Sequence, residues 1–151
     1  MPTTTVTNQQ NEIDLAARSG QVEHVEQILK SGYDINSKNE KGHSALMLAA
    51  YNGHYNLVQF LISQGADVNS IDISGSTILM GVVFKGHSQI FDLLVKAGAD
   101  LELQNQKNQT SLDYAIMFGK RDLIFKINQA LNTNRSAGRI EQVKAWINYI
   151  A

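Results

Sequence analysis

Apolar residues fall along this chain in short runs with helical spacing, and the whole pattern returns after 33 residues. The segment GHSALMLAAYNGHYNLVQFLISQGADVNS, which starts at Gly42, aligns with GSTILMGVVFKGHSQIFDLLVKAGADLEL, which starts at Gly75. The blocks that start at Asn11 and Asn108 follow in the same frame. Because self-similarity at a fixed period marks a repeat architecture, we predict four stacked units, at about 6–38, 39–71, 72–104 and 105–137.

Each unit is predicted to hold two short helices. A turn that needs a left-handed backbone opens the unit, and a hydroxyl residue two positions later is placed to cap the first, inner helix. These pairs are Gly42 and Ser44, Gly75 and Thr77, and Asn108 and Thr110. Glycines suited to ending a helix follow the inner helix and then the outer helix. They are Gly20, Gly53, Gly86 and Gly119 after the inner helices, and Gly32, Gly65 and Gly98 after the outer helices.

The hydrophobic core is predicted to run through all the units. A pair of helices of two to three turns cannot bury its apolar face alone, so neighbouring units must stack. The expected core residues of the two central units are Leu46, Ala49, Ala50, Val58, Leu61, Leu79, Val82, Val83, Phe91 and Leu94. The pattern therefore predicts an all-α solenoid.

The repeat resembles the ankyrin repeat family over about residues 11–131. The resemblance is carried by Gly42-His-Ser-Ala-Leu46, Ala49-Ala50, Gly53-His54 and Gly65-Ala-Asp-Val-Asn69, with Gly86-His87 and Gly98-Ala-Asp100 one period later. It implies an ankyrin-repeat solenoid in which short β-hairpin fingers join the helix pairs. The proline that begins the family's inner helix is missing in every unit, and Gln9 replaces the turn glycine of the first unit. We therefore expect the first unit to lack its finger.

The N-terminal segment departs from the repeat. Residues 1–10 are polar, with neither the basic nor the apolar region of a secretory signal. We therefore expect them to form a flexible tail ahead of four repeats at 11–137.

The C-terminal segment also departs from the repeat. In residues 138–151, Ile140, Val143 and Ile147 lie on one helical face that continues to Ile150, with Trp146 alongside. Repeat arrays need terminal caps with a polar outer face, so we expect a C-terminal capping helix over the last open core. An amphipathic helix for a membrane or a partner is the alternative.

Charge and composition restrict the partners. The chain carries 13 basic and 14 acidic residues, a net charge of −1, which gives no electrostatic footprint for nucleic acid or anionic lipid. No apolar run approaches the roughly 18 residues that a membrane span needs. There is no cysteine, which removes disulfides and thiolate chemistry. We therefore expect a cytoplasmic protein with neither nucleic acid nor membrane as partner.

Catalytic or metal chemistry is not indicated. His54 and His87 are related by the repeat, so about 8–10 Å should separate them, whereas zinc ligands each lie about 2 Å from the metal. We interpret both as histidines that close a turn and bond the backbone, and the Asp67-Val-Asn69 loop as one that bonds its own backbone. No nucleophile with a base and an orienting acid, and no phosphate-binding loop, is recognisable. We expect neither an enzyme nor a cofactor; an enzyme and a scaffold-only oligomer are the rival classes.

The resemblance implies a binding site on the concave face formed by the inner helices and fingers. Residues there at 33-residue spacing form one column of Arg18, Tyr51, Phe84 and Met117, and a neighbouring one of Ser19, Asn52, Lys85 and Phe118. The fingers add His43, Ile73 and Lys107. Tyrosine, phenylalanine, methionine and arginine are enriched in interfaces, so we predict an apolar strip with a basic edge. The alternative is that Phe84 and Phe118 tilt inward and join the core.

Gly81 is unusual because it lies in the middle of an inner helix, where the other units have Leu15, Leu48 and Tyr114. A glycine at such a position costs about 1 kcal/mol relative to alanine. Our hypothesis is that Gly81 opens a notch beside Phe84 for a side chain of the partner.

The sequence thus predicts a non-catalytic module that binds another protein through its concave face and is monomeric when free. Two versions of this role remain open. One is an adaptor that recruits a protein, and the other is a stoichiometric inhibitor or immunity-type protein that covers an enzyme or toxin.

Overall fold

The computed structural model describes the backbone of residues 3–150 and the side chains of residues 7–150, and it shows eight helices in this range. They are α1 (Thr3–Arg18), α2 (Val22–Lys30), α3 (Ala45–Tyr51), α4 (Tyr55–Ser63), α5 (Ile78–Lys85), α6 (Ser88–Lys96), α7 (Ser111–Met117) and α8 (Arg121–Ile150). Odd-numbered helices are the inner helices of the four units, and even-numbered helices are the outer ones. Consecutive inner helices pack side by side, as α1 on α3, α3 on α5 and α5 on α7. This arrangement confirms the predicted all-α solenoid.

The predicted caps and turns set where the inner helices begin. Ser44 Oγ accepts a hydrogen bond from the Met47 amide at 3.2 Å. Thr77 and Thr110 cap α5 and α7 in the same way. The backbone φ at the preceding turn is +78° at Gly42, and Asn108, at +57°, is the one residue other than glycine with a positive φ in the described chain. Asparagine tolerates a left-handed backbone better than most residues, which explains why Asn108 can stand where the other units have glycine.

The predicted fingers are short antiparallel turns without a sheet in the described chain. Finger 1 (38–44) closes with a bridge between Lys38 and Ser44, and finger 2 (71–77) closes with one between Ile71 and Thr77. Finger 3 (104–110) closes with a hydrogen bond from the Asn105 amide to the carbonyl of residue 109 at 3.0 Å. Neighbouring fingers are joined by backbone hydrogen bonds, so they lie side by side above the inner helices.

The core follows the stacked helices from one unit to the next. All ten core residues predicted for the central units are buried, and Ala49 and Ala50 have no exposed surface. Such small side chains let consecutive inner helices approach closely. Phe91 is the largest of the fully buried side chains and lies on α6.

The N-terminal tail prediction is wrong for residues 3–10, which belong to α1; residues 1 and 2 lie outside the described residues. The helix continues through Gln9, where the other units turn at glycine or asparagine, because nothing at that position favours a left-handed backbone. Gln10 also anchors this turn, since its amide donates to Asp14 at 2.8 Å and its carbonyl accepts from the hydroxyl of Tyr33. No finger forms in the first unit, as predicted.

The predicted capping helix at 138–151 is also wrong as a cap, although residues 138–150 are helical. They continue α8 without a break, and every side chain from 132 to 150 is exposed. Trp146 is 62% exposed and Ile147 is 50% exposed, so neither covers the core. In the other units the outer helix is followed by Gly32, Gly65 or Gly98; the equivalent position is Leu131, which does not favour the turn that ends a helix. No helix in the described range is long and apolar enough to cross a membrane.

Removing residues 132–151 is expected to leave the thermal midpoint of unfolding unchanged to within about 2 °C. The described side chains of this segment are all exposed, and its ion pair with another unit, 3.8 Å between Arg135 and Glu102, is exposed and of a type that stabilises little. Circular dichroism melting of the two chains measures the effect. A chain that ends after Lys120 is the control, because it loses the buried Leu123 and Ile127 and should unfold at a much lower temperature. A large decrease in the thermal midpoint when only residues 132–151 are removed would show that this segment covers the core.

Candidate binding face

Three aromatic rings form a continuous column across the face made by the inner helices and the fingers, here called the inner-helix face. Tyr51 ends α3, Phe84 lies on α5 and Phe118 follows α7. The rings of Tyr51 and Phe84 are stacked with centroids 6.4 Å apart, and Phe118 meets Phe84 edge-on at 4.8 Å. Their exposed fractions are 41%, 39% and 43%, so the rings lie on the surface and the inward-tilted alternative is wrong. We call these three residues the aromatic column.

Cationic and apolar residues extend the aromatic column. Met117 is 55% exposed and Arg18 is exposed at the end of α1. The ammonium of Lys85 lies 5.2 Å from the centroid of the Tyr51 ring, within range of a cation–π interaction. Met117, Arg18 and Lys85 thus lie on the inner-helix face, where the sequence pattern predicted them.

Tyr114 belongs to this cluster and was missed from the sequence. Its ring packs against Phe118 with centroids 5.8 Å apart, and its hydroxyl accepts a hydrogen bond from Asn105. The repeat aligns Tyr114 with the buried Leu48, which concealed its role. A tyrosine at a core position was the available signal, since its hydroxyl needs a polar partner.

The three predicted finger residues differ in exposure. Ile73 is 69% exposed on finger 2, and Lys107 is exposed on finger 3. His43 is half-buried, and its Nδ1 atom is buried without a hydrogen-bond partner. Ile73 and Lys107 are therefore accessible on the fingers, while His43 is only partly accessible.

Burial lowers the pKa of His43, because the charged imidazolium would lose its hydration. The carboxylate of Asp72 opposes this by raising the pKa, and the positive charges of Arg18 and Lys41 lower it further. His43 is therefore neutral at pH 7, and it adds no positive charge to the face.

Gly81 lines a pocket of about 390 Å³ that opens on the inner-helix face. Tyr51 and Phe84 form part of its wall, with Met47 beside them, and Arg18 reaches its edge. A Cβ atom added at Gly81 would lie 3.3 Å from Cδ2 of Tyr51, which is tight enough that the ring would have to shift by a few tenths of an ångström. Because Gly81 has no side chain, the pocket stays open and the Tyr51 ring can pack close to α5.

The fingers are held by one polar side chain in each. The side-chain oxygen of Asn39 accepts hydrogen bonds from the amides of Lys41 and His43, both at 3.0 Å. Asp72 and Asn105 occupy the equivalent positions of fingers 2 and 3 and accept the same pair of bonds. In each finger one side-chain oxygen thus accepts two backbone hydrogen bonds. These bonds fix the backbone that carries the side chains at the finger tips.

The histidines after the inner helices bond the backbone, as predicted, and the structure adds that each bond reaches the preceding unit. Nε2 of His54 donates to the backbone carbonyl of Arg18 at 2.6 Å, and Nε2 of His87 donates to that of Tyr51 at 3.1 Å. Each bond runs from one unit to the preceding one, at a residue that carries the candidate face. No group of three histidine, aspartate or glutamate side chains in the described chain could hold a metal ion.

A family model described as ankyrin repeats matches residues 13–105 with three copies. This match covers more than half of the chain and shows that the chain belongs to the ankyrin repeat family. No curated protein matches the sequence. Ankyrin repeats are generally protein–protein interaction modules and are typically non-catalytic.

Proposed function

We propose that this protein is a non-catalytic module that binds another protein through its inner-helix face, the concave face of the predicted solenoid. The observation that supports this most strongly is the aromatic column, which joins exposed rings from three successive units into one surface. A few central residues carry most of the binding energy of a protein interface, and aromatic residues are enriched at the centre of such interfaces. An inner-helix face that served only the fold would need no exposed rings at these positions.

The rigidity of the face supports the same proposal. Hydrogen bonds between units fix the backbone at Arg18 and Tyr51, and an asparagine or aspartate fixes each finger. A surface held in place before binding loses less conformational entropy when the partner arrives. The proposal includes the expectation that the free protein is a cytoplasmic monomer.

Replacing Phe84 and Phe118 together by alanine is expected to abolish capture of the partner. The double variant removes two of the three rings of the aromatic column, and truncating a hot-spot residue of an interface weakens binding by about 2 kcal/mol or more. Tagged wild type and variant are compared in pull-downs from a lysate of the source organism, with bound proteins identified by mass spectrometry. Proteins retained by wild type and lost with the variant are the expected result.

The matched control replaces two aromatic residues of the outer helices, Tyr55 and Phe125, which are 38% and 69% exposed. This control removes a similar amount of aromatic surface from the other side of the repeats. Identical captured proteins for wild type and the Phe84/Phe118 variant would contradict the proposal. Loss with the control alone would move the binding site to the outer helices.

A further inference from the structure

His43 differs from the other histidines of the described chain, because its Nδ1 atom is buried and has no hydrogen-bond partner there. His54 and His87 donate through Nε2 to backbone carbonyls. A protonated ring carries a hydrogen on both nitrogens, so protonation leaves the bonds of His54 and His87 intact. At His43 the same step would turn the buried Nδ1 into a charged donor without an acceptor, which is costly.

The backbone of finger 1 holds the His43 ring in this position. The His43 amide donates to Oδ1 of Asn39 at 3.0 Å, and its carbonyl accepts from the Asn39 amide at 3.1 Å. The preceding Gly42 lies so close to finger 2 that an added Cβ would be 2.7 Å from the nitrogen of Ile73. Finger 1 thus has little free space towards finger 2. We expect Nδ1 to reach water only when finger 1 shifts away from finger 2.

The charges around His43 come from α1, from finger 1 and from finger 2. They belong to Asp14 and Arg18, to Lys41, and to Asp72. Burial is the largest influence, and it lowers the pKa of His43 from its ordinary value of 6.5. The two carboxylates raise the pKa and the two cations lower it, so these charges oppose one another and leave the direction to burial.

The other two fingers have no titratable side chain at this position. Ser76 of finger 2 and Gln109 of finger 3 lie one and two periods after His43. Neither takes up a proton near neutral pH. Finger 3 also shows that glutamine fits this position of the turn.

Neighbouring fingers are joined by equivalent backbone bonds. Between fingers 1 and 2, the Ile73 amide donates to the Lys41 carbonyl at 3.2 Å. Between fingers 2 and 3, the Gln106 amide donates to the Ser74 carbonyl at 3.1 Å. The protein thus contains two matched junctions, and a histidine lies in the first finger of only one of them.

From this arrangement we propose that His43 is a pH-sensitive switch, whose neutral ring lets fingers 1 and 2 close and whose protonation releases finger 1. His43 also lines the pocket of about 390 Å³ beside Gly81, here called the Gly81 pocket, together with Met47 and Tyr51. Release of finger 1 therefore changes the shape of the inner-helix face. The inference goes beyond the proposed function, because the switch operates in the free protein whether or not this face binds a partner.

The direction of the pH effect follows from the linkage between proton binding and conformation. Because the pKa of His43 is lowered when the ring is enclosed, the ring takes up a proton more readily once finger 1 is released. The closed junction has its full stability above the ordinary pKa of 6.5. It loses stability progressively as the pH falls from there towards the lowered pKa of the enclosed ring.

Hydrogen exchange of two backbone amides tests the proposal in the free, full-length chain. NMR measures the protection of the Ile73 and Gln106 amides from about pH 7.5 to about pH 5, each relative to the exchange rate of an unstructured chain at the same pH. The Ile73 amide is expected to lose protection as the pH falls below 6.5, while the Gln106 amide keeps its protection. The ring signals of His43 should titrate with a midpoint below 6.5.

Two variants assign the effect to His43. His43→Gln removes the titrating group and should make the protection of the Ile73 amide independent of pH over this range. Asp72→Asn is the second variant, since Asn39 and Asn105 make the equivalent finger bonds with an amide oxygen. Loss of the carboxylate lowers the pKa of His43 further, so the Ile73 amide should keep its protection to a lower pH than in the wild type.

Several results would overturn the switch. A parallel loss of protection at Ile73 and Gln106 would show that acid loosens all the fingers, and unchanged protection at Ile73 would show that protonation does not move finger 1. Wild-type behaviour of His43→Gln would assign the effect to another group. An unchanged pH dependence in Asp72→Asn would separate the effect from the charge on His43. Each of these results leaves the proposed function intact, because that is tested separately by the Phe84/Phe118 variant.

Discussion

Replacing Phe91 by alanine should lower the free energy of unfolding by about 3–5 kcal/mol, the range for phenylalanine-to-alanine changes in cores. Phe91 is 2% exposed and lies on α6 in the middle of the stacked units. The change removes the ring and leaves a cavity, and the close-packed helices can refill it only in part. A domain is stable by only about 5–15 kcal/mol, so much of its stability depends on this ring.

Urea unfolding followed by circular dichroism measures the effect. Phe125→Ala is the matched control, because the same ring is removed from the outer helix α8, where it is 69% exposed. The control is expected to change stability by less than about 0.5 kcal/mol, as usual for surface positions. Similar losses for the two variants would mean that the core does not pass through Phe91.

The repeat itself could be predicted in detail because its chemistry is local. Gly42 and Ser44 determine a turn and a cap through their own backbone and side-chain bonds, and no distant residue needs to be known. His54 was likewise expected to bond backbone, but its partner, the carbonyl of Arg18, lies in the neighbouring unit and was not named from the sequence. A repeat therefore converts long-range contacts into a pattern that can be read along the chain.

The ends of the chain could not be predicted equally well, since they lack a neighbour on one side. The apolar face of residues 140–150 was correctly recognised as helical, but a pattern of apolar positions does not say what covers them. In the structure nothing in the described chain covers Ile140 or Trp146. Leu131 occupies the position where the other units have a glycine after the outer helix, and this replacement indicated that the last outer helix would continue.

The candidate site lies between these extremes. The 33-residue spacing aligned Tyr51 and Phe84 and placed Phe118 in the neighbouring column, and all three side chains lie on the surface. The position of the Tyr51 ring beside Gly81 could not be predicted from the sequence, because it depends on the side-chain conformation that Tyr51 adopts against the next inner helix. What the sequence suggested as a notch is therefore a pocket whose wall is a ring from the preceding unit.

Gly42→Ala is expected to lower the free energy of unfolding by about 2–4 kcal/mol, which combines two costs. The first is backbone strain, since alanine at a φ of +78° is unfavourable by about 1–2 kcal/mol. The second is a collision, because the new Cβ would lie 2.7 Å from the backbone nitrogen of Ile73. That nitrogen donates to the Lys41 carbonyl at 3.2 Å, so relieving the collision weakens the bond between fingers 1 and 2.

Gly65→Ala separates the two costs. The backbone φ of Gly65 is +85°, close to that of Gly42, but an added Cβ meets nothing within 4 Å. This variant should therefore show the strain alone, about 1–2 kcal/mol, and Gly42→Ala should exceed it by a further 1–2 kcal/mol or so in urea unfolding. Equal losses would mean that the fingers separate without cost. In that case they would not hold the rim of the Gly81 pocket in place, and a partner would have to order them as it binds.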